Sequence, residues 1–126
     1  MEYFKSLIAL TIVLLLMGCS YGPSTKEMAA ASYGERPVNY GKTIKEYMEV
    51  HLKDPESAQF KVSEPATGWW QDTVFGKKHY GWRILVLVNA KNSFGAFTGF
   101  QPYYFCYEDG KLHYIITPEI MGPGVK

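Results

Sequence analysis

A cysteine and a histidine of this 126-residue chain could form a nucleophile and its general base. Cys106 and His113 lie on either side of an Asp109-Gly110 turn. A two-residue type I′ loop would pair Cys106 with His113, with Cβ atoms about 5 Å apart on one face of a sheet. A three-residue loop with a bulge would instead pair Cys106 with Leu112. A thiol beside an imidazole is a nucleophile signature, and both registers stay open. We expect a buried, inert thiol, and an intermolecular disulfide is the alternative.

The histidines are not spaced as metal ligands usually are. His51, His79 and His113 have no second ligand at helical or Cys-x-x-Cys spacing. His51 falls on the apolar face of a predicted helix, where a core or boundary role is expected. The chain has no Gly-x-Ser-x-Gly, phosphate-loop or His-Glu-x-x-His motif. The sequence therefore predicts no catalytic residue, no metal site and no cofactor.

The other cysteine follows an apolar segment. Residues 7–17 are apolar or small, and Gly18-Cys19 comes directly after them. Because a spanning helix needs about 20 apolar residues, this segment fits a removable signal peptide better. An uncleaved anchor helix or a buried core helix is the alternative. Leu16-Met17-Gly18-Cys19 resembles the lipobox of bacterial lipoproteins.

The lipobox resemblance implies a lipid anchor. By this resemblance, the Cys19 thiol would first be linked to diacylglycerol. The signal peptide would then be cleaved between Gly18 and Cys19, and the new amine of Cys19 would be acylated, as with palmitate. Two or more acyl chains hold a protein stably at a membrane. Ser20, where an inner-membrane retention signal would have Asp, resembles outer-membrane sorting. The implied location is the outer membrane, with the domain in the periplasm or at the cell surface.

Composition and the positions of Gly, Pro and other turn-forming residues predict four segments. These are a signal peptide at 1–18, a lipid-anchored flexible tether at 19–40, a small domain at 41–118 and a loose tail at 119–126. The chain has 13 Lys and Arg against 12 Asp and Glu. This balance leaves no basic footprint for nucleic acid. Aromatic residues make up 16% of the chain, and we expect most of them to fill the core.

Hydrophobic periodicity predicts one helix followed by strands. Apolar residues recur at helical spacing over 41–53, Thr43 and Glu46 form a capping-box pattern, and Pro55 should end the helix. Strands are expected at about 57–62, 69–75, 80–90, 98–107 and 112–117. The predicted fold class is α+β, with one N-terminal amphipathic helix packed on a mostly antiparallel four- to five-stranded sheet. Pro102 argues for an edge, a bulge or a late strand start.

Two segments carry a second resemblance. Asp54-Pro55-Glu56-Ser57-Ala58-Gln59-Phe60 and, further on, Asn89-Ala90-Lys91-Asn92-Ser93-Phe94-Gly95 resemble a small domain widespread in bacterial secreted proteins, lipoproteins and phage-borne proteins. The resemblance covers about residues 42–116. It implies a fold and supplies no catalytic residues.

Two surfaces are candidates for binding. The first is the loop with Lys91, Asn92, Ser93 and Phe94, which is either a recognition loop with Lys91 at its tip or scaffold turn chemistry. The second is Trp69-Trp70, either a displayed aromatic patch or core.

The leading functional hypothesis is a non-enzymatic lipoprotein that binds an envelope protein, as a scaffold, an inhibitor or an exclusion or immunity factor. A glycan-binding accessory module that uses Trp69 and Trp70 is the alternative. A thiol enzyme built on Cys106 is the third hypothesis.

Overall fold

The computed structural model describes residues 22–121. The chain divides into two compact units, Met1–Ala31 and Ser32–Lys126. The predicted signal peptide, Cys19 and residues 122–126 lie outside the described residues. No helix in the described part of the chain is long and apolar enough to cross a membrane.

The first unit contains a short helix within the predicted tether. Helix α1 spans Thr25–Ala30, and Ser24 is its N-cap. The Ser24 hydroxyl accepts a hydrogen bond from the Glu27 amide at 3.2 Å, and the Glu27 carboxylate accepts one from the Ser24 amide at 2.6 Å. This reciprocal capping box stabilises a helix too short to show a hydrophobic period.

The second unit is an α+β domain built on a five-stranded antiparallel sheet. Its elements are helix α2 (Tyr40–His51), a 3₁₀ turn (Pro55–Ser57), β1 (Gln59–Val62), β2 (Ala66–Gln71), β3 (Lys78–Asn89), β4 (Gln101–Glu108), β5 (Lys111–Ile116) and helix α3 (Pro118–Met121). Because α1 precedes α2, the amphipathic helix is not the N-terminal element, which corrects the prediction.

Strand β3 is the centre of the sheet. Both β1 and β2 pair with one edge of β3, β4 pairs with the other edge, and β5 lies beyond β4. The central strand predicted at 80–90 is confirmed. Along β3, buried and half-buried residues alternate, so neither face of the strand is fully exposed. Pro102 pairs with Leu87, at a point of β4 that the described pairing with β5 does not reach. Because β4 begins only at Gln101, Pro102 fits the late-start and edge alternatives of the sequence analysis.

One face of the sheet carries the hydrophobic core. Ile84, Val86 and Val88 of β3 form a buried cluster with Phe105 and Tyr107 of β4. Two residues of α2, Ile44 and Met48, belong to the same cluster. We call this the core face.

The ends of α2 differ in how well the sequence predicts them. The helix begins after Asn39, which has φ of 56° and makes no side-chain capping bond, so Thr43 lies inside the helix and the predicted capping box is wrong. At the other end the predicted turn is confirmed. The Asp54 carboxylate accepts a bond from the Ser57 amide at 3.3 Å, and the Ser57 hydroxyl donates to the Asp54 carbonyl at 2.8 Å.

The segment before α2 is part of the second unit. The Trp82 indole donates to the Gly34 carbonyl at 3.0 Å, and Tyr33 meets Tyr80 edge-on. Pro37 is fully buried. These contacts extend the folded unit toward Ser32, into the stretch predicted to be tether.

Candidate functional site

The β4–β5 hairpin decides where the chemically active residues lie. Glu108 pairs with Lys111, and Asp109 and Gly110 have φ of 47° and 74°. Two consecutive positive φ values are the signature of a type I′ turn. The two-residue loop considered in the sequence analysis is therefore confirmed.

The pairing expected from that loop is nevertheless wrong. Tyr107 pairs with Leu112, but the register then shifts and Cys106 pairs with Tyr114. His113 is the extra residue of a β-bulge, which leaves it without a direct partner across the ladder. The Cys106–His113 pair of the first register does not form, and neither does the Cys106–Leu112 pair of the second.

His113 lies beside His79. The two imidazole rings have centroids 4.6 Å apart. His79 lies on the face of β3 opposite the core face, because residues 79, 81 and 83 alternate with the core positions. We call this the second face. The histidines lie on β3 and β5, which are separated by β4, so no local spacing in the sequence could reveal their proximity.

Two carboxylates complete the group. His79 Nε2 is 3.6 Å from Asp72 Oδ2, and His79 Nδ1 is 3.2 Å from Glu108 Oε1. His113 Nε2 is 3.5 Å from Glu108 Oε2. We call Asp72, His79, Glu108 and His113 the histidine cluster. The His79 side chain is 13% exposed and that of Asp72 is 47% exposed, so the cluster spans the boundary between interior and solvent.

Each member of the histidine cluster is positioned by a different element. Asp72 follows the last residue of β2, His79 is the second residue of β3, Glu108 ends β4, and His113 is the bulged residue of β5. Strand pairing therefore sets the backbone positions of His79, Glu108 and His113, whereas Asp72 lies one residue beyond the paired part of β2.

The Trp70 ring contacts both imidazole rings. Its ring stacks on His79 at 5.8 Å and meets His113 at 5.9 Å. The side chain is only 2% exposed, and it is the cross-strand partner of His79. Gly81 makes room for this ring. A Cβ atom there would lie 2.8 Å from Trp70 Cη2 and would collide with the Tyr107 carbonyl oxygen.

An open groove adjoins the histidine cluster. Its volume is about 620 Å³, and its lining includes Glu35, Glu108, Lys111 and His113. The groove shares two of its residues with the cluster. A small polar molecule or ion could therefore approach the imidazoles from solvent.

The predicted aromatic patch is only partly displayed. Trp69 is half-buried, whereas Trp70 is buried in packing against the two histidines. A ring this deeply buried offers no stacking face to a glycan. Trp70 therefore corresponds to the core alternative.

The predicted binding loop combines a scaffold with a displayed tip. Asn92 Oδ1 accepts hydrogen bonds from the amides of Phe94 at 2.9 Å and Ala96 at 3.2 Å. The Lys91 ammonium lies over the Phe97 ring at 5.5 Å, and its amide donates to Ser57. Ser93 is exposed, and the Phe94 side chain is 94% exposed. Asn92 thus shapes the loop, and Phe94 is its displayed side chain.

Cys106 is buried, as predicted. Burial is the main reason that the pKa of its thiol is raised to about 12; Arg83 acts in the opposite direction and Asp72 adds to the increase. A thiol with this pKa is protonated at neutral pH and is a poor nucleophile.

Comparison with known proteins gives no relative from which function could be transferred. The chain matches no protein-family model, no curated protein and no solved structure.

Proposed function

We propose that this chain is a bacterial lipoprotein, anchored to the outer membrane through Cys19, whose α+β domain binds another envelope protein. We also propose that the α+β domain is related to the small domain of bacterial secreted proteins that the sequence resembles. The proposal also includes the layered architecture in which α2 covers the core face. The burial of Ile44 and Met48 among strand residues supports that arrangement. Its cellular role would be that of a scaffold, an inhibitor or an exclusion factor.

The anchor is supported by the order of residues at 16–19, where the apolar segment ends in Gly18-Cys19. Cells fed a clickable palmitate analogue should label the wild-type chain and release it from membranes only with detergent. Cys19→Ser should abolish the label and shift the chain to the soluble fraction or leave it unprocessed. Cys106→Ser is the matched control, because it removes the other thiol and should leave the label unchanged. Labelling of the Cys19→Ser chain would contradict the anchor.

The binding role depends on one observation, the exposure of Phe94 on a loop that is held by its own hydrogen bonds. An aromatic ring in water loses the free energy that burial would provide, and such rings are enriched at protein interfaces. Phe97 and Phe100 on the same loop are also exposed. Because Asn92 already orders the loop, a partner would pay less conformational entropy on binding.

Site-specific photocrosslinking tests the binding role. A photoreactive phenylalanine at position 94 should capture one discrete envelope protein in living cells. Position 75 is the matched control, because Phe75 is 99% exposed but lies in the segment between β2 and β3. Identical adducts from both positions, or none from position 94, would overturn this part of the proposal.

The non-enzymatic character of the proposal is supported by Cys106. The thiol enzyme hypothesis needs an accessible thiolate, whereas this thiol is buried and has a raised pKa.

A further inference from the structure

We propose that the histidine cluster is a binding site for a divalent transition metal ion of the zinc class. Asp72, His79 and His113 would be the ligands, and Glu108 would orient His79. The proposal uses no residue of the Phe94 loop and does not depend on lipidation of Cys19, so it goes beyond the function proposed above.

The donor atoms select the class of metal. Two imidazole nitrogens and one carboxylate oxygen suit Zn²⁺ and its first-row neighbours. Mg²⁺ and Ca²⁺ prefer sets made entirely of oxygen atoms. One nitrogen or oxygen from each of Asp72, His79 and His113 lies within 4.8 Å of the other two.

One distance between candidate ligands is close to that of a metal site, and His113 would have to move closer to complete it. Zinc–nitrogen and zinc–oxygen bonds of about 2.0–2.1 Å place tetrahedral ligands about 3.3 Å apart. His79 Nε2 and Asp72 Oδ2 are 3.6 Å apart. The two atoms would need to approach only slightly to share one ion.

Glu108 has the place of an orienting carboxylate. A metal-bound imidazole coordinates through one nitrogen and commonly donates its other N–H to a carboxylate. His79 directs Nε2 toward Asp72 and Nδ1 toward Glu108 Oε1 at 3.2 Å. Glu108 would accept the Nδ1 proton and hold Nε2 as the coordinating atom.

The surroundings of the cluster favour a preorganised site. Strand pairing and the His113 bulge set the backbone, and the Trp70 ring limits the rotation of both imidazoles. Three protein ligands leave a fourth tetrahedral position for water or a small ligand. The groove beside Glu108 and His113 gives that position a route to solvent.

Titration calorimetry on the tag-free, full-length chain in detergent tests this proposal after removal of metals with a chelator. Zn²⁺ should bind with one equivalent per chain. His79→Gln and His113→Gln should each weaken binding by at least a hundredfold. Glu108→Gln should weaken it by roughly ten- to a hundredfold, as expected for a residue that orients a ligand. His51→Gln is the matched control, because it removes the third histidine, which lies outside the cluster, and it should bind like the wild type.

Co²⁺ supplies a readout that depends on geometry. The wild-type chain should give the intense visible ligand-field bands of a tetrahedral site, and His113→Gln should lose them. Near-ultraviolet circular dichroism of the metal-free variants verifies folding. If a histidine variant does not fold, Asp72→Asn replaces it, because Asp72 is exposed and should tolerate the change.

Three results would overturn the proposal. These are no Zn²⁺ binding by the folded wild-type chain, equal binding of Mg²⁺, and full Zn²⁺ affinity in a folded His79→Gln, His113→Gln double variant. None of them bears on crosslinking at Phe94 or on lipidation of Cys19, so the two proposals fail separately.

Discussion

The two faces of the sheet are built from the same strands but differ in chemistry. On β3, Ile84, Val86 and Val88 point to the core face and are essentially inaccessible to solvent. The alternate positions carry His79, Arg83 and two half-buried leucines on the second face. One face thus supplies apolar burial, and the other presents groups that can bind protons, ions or aromatic rings.

The second face also contains polar atoms that the described residues leave unpaired. Trp70 Nε1 and Arg83 Nε are buried and have no hydrogen-bond partner within residues 22–121, and the same holds for Tyr107 Oη on the core face. Arg83 nevertheless lies over the Tyr104 ring at 4.5 Å and donates to the Trp69 carbonyl. Incompletely satisfied polar groups are a cost in a protein interior. Unpaired buried atoms therefore do not distinguish the two faces. The difference lies in the side chains: the core face buries apolar groups, whereas the second face places His79, Glu108 and His113 close together.

The largest expected effect comes from opening the core face. Phe105→Ala should lower the free energy of unfolding by about 3–5 kcal/mol, because a fully buried ring is lost and a cavity remains. Urea denaturation followed by circular dichroism measures the change. Tyr104→Ala, on the adjacent half-buried position of the second face, should cost only about 1 kcal/mol. Equal losses would show that the two faces do not differ as described.

Gly81→Ala tests the close packing of the Trp70 ring and the Tyr107 backbone around Gly81 on the second face. The new methyl group would collide with the Tyr107 carbonyl and press on Trp70, so we expect a loss of about 1–3 kcal/mol. The same denaturation experiment measures it. Gly41→Ala is the control, because no atom lies within 4 Å of its added Cβ and it belongs to α2. That variant should be more stable by roughly 0.5–1 kcal/mol.

The buried Cys106 thiol should make the free energy of unfolding depend on pH in the alkaline range. Burial raises the pKa of its thiol from 9.0 to about 12, so the folded chain holds this proton more tightly than the unfolded chain. The contribution is fully present below pH 9 and is lost as pH rises toward 12. The difference in unfolding free energy between wild type and Cys106→Ala, measured at several pH values, should shrink over that range. A constant difference would contradict the buried thiol.

Two substitutions in the Phe94 loop should distinguish a residue that stabilises the loop from a residue that is only displayed on it. Asn92→Ala removes the acceptor of two backbone amides and should cost about 0.5–1.5 kcal/mol. Phe94→Ala should change stability by less than about 0.5 kcal/mol, because the ring is exposed. Thermal unfolding of both variants provides the measurement. A large loss in Phe94→Ala would assign the ring to packing rather than to partner binding.

Much of the framework could be predicted from local patterns. The period of α2, the stop at Asp54-Pro55 and the apolar β3 each follow from a few neighbouring residues, and each is close to its predicted position. The start of α2 was harder to predict, since Asn39 provides no capping bond and Thr43 offers a stronger but unused pattern. Helix α1 was missed because six residues are too few for a period to emerge.

The histidine cluster could not be predicted, although each of its residues is visible in the sequence. His79 and His113 belong to β3 and β5, which are separated by β4, so their proximity depends on the pairing of three strands and on the bulge that places Tyr114 opposite Cys106. Whether a hairpin contains a bulge depends on packing across several strands and not on the turn alone.

The amino-acid sequence by itself determined the α+β class, the central strand and the helix stop, since each depends on patterns among residues close together in the chain. Tertiary structure alone decided the turn type and register of the last hairpin, the burial of Trp70, and the gathering of Asp72, His79, Glu108 and His113. The physical reason is that register reflects the summed free energy of pairings between distant segments, which no single segment encodes.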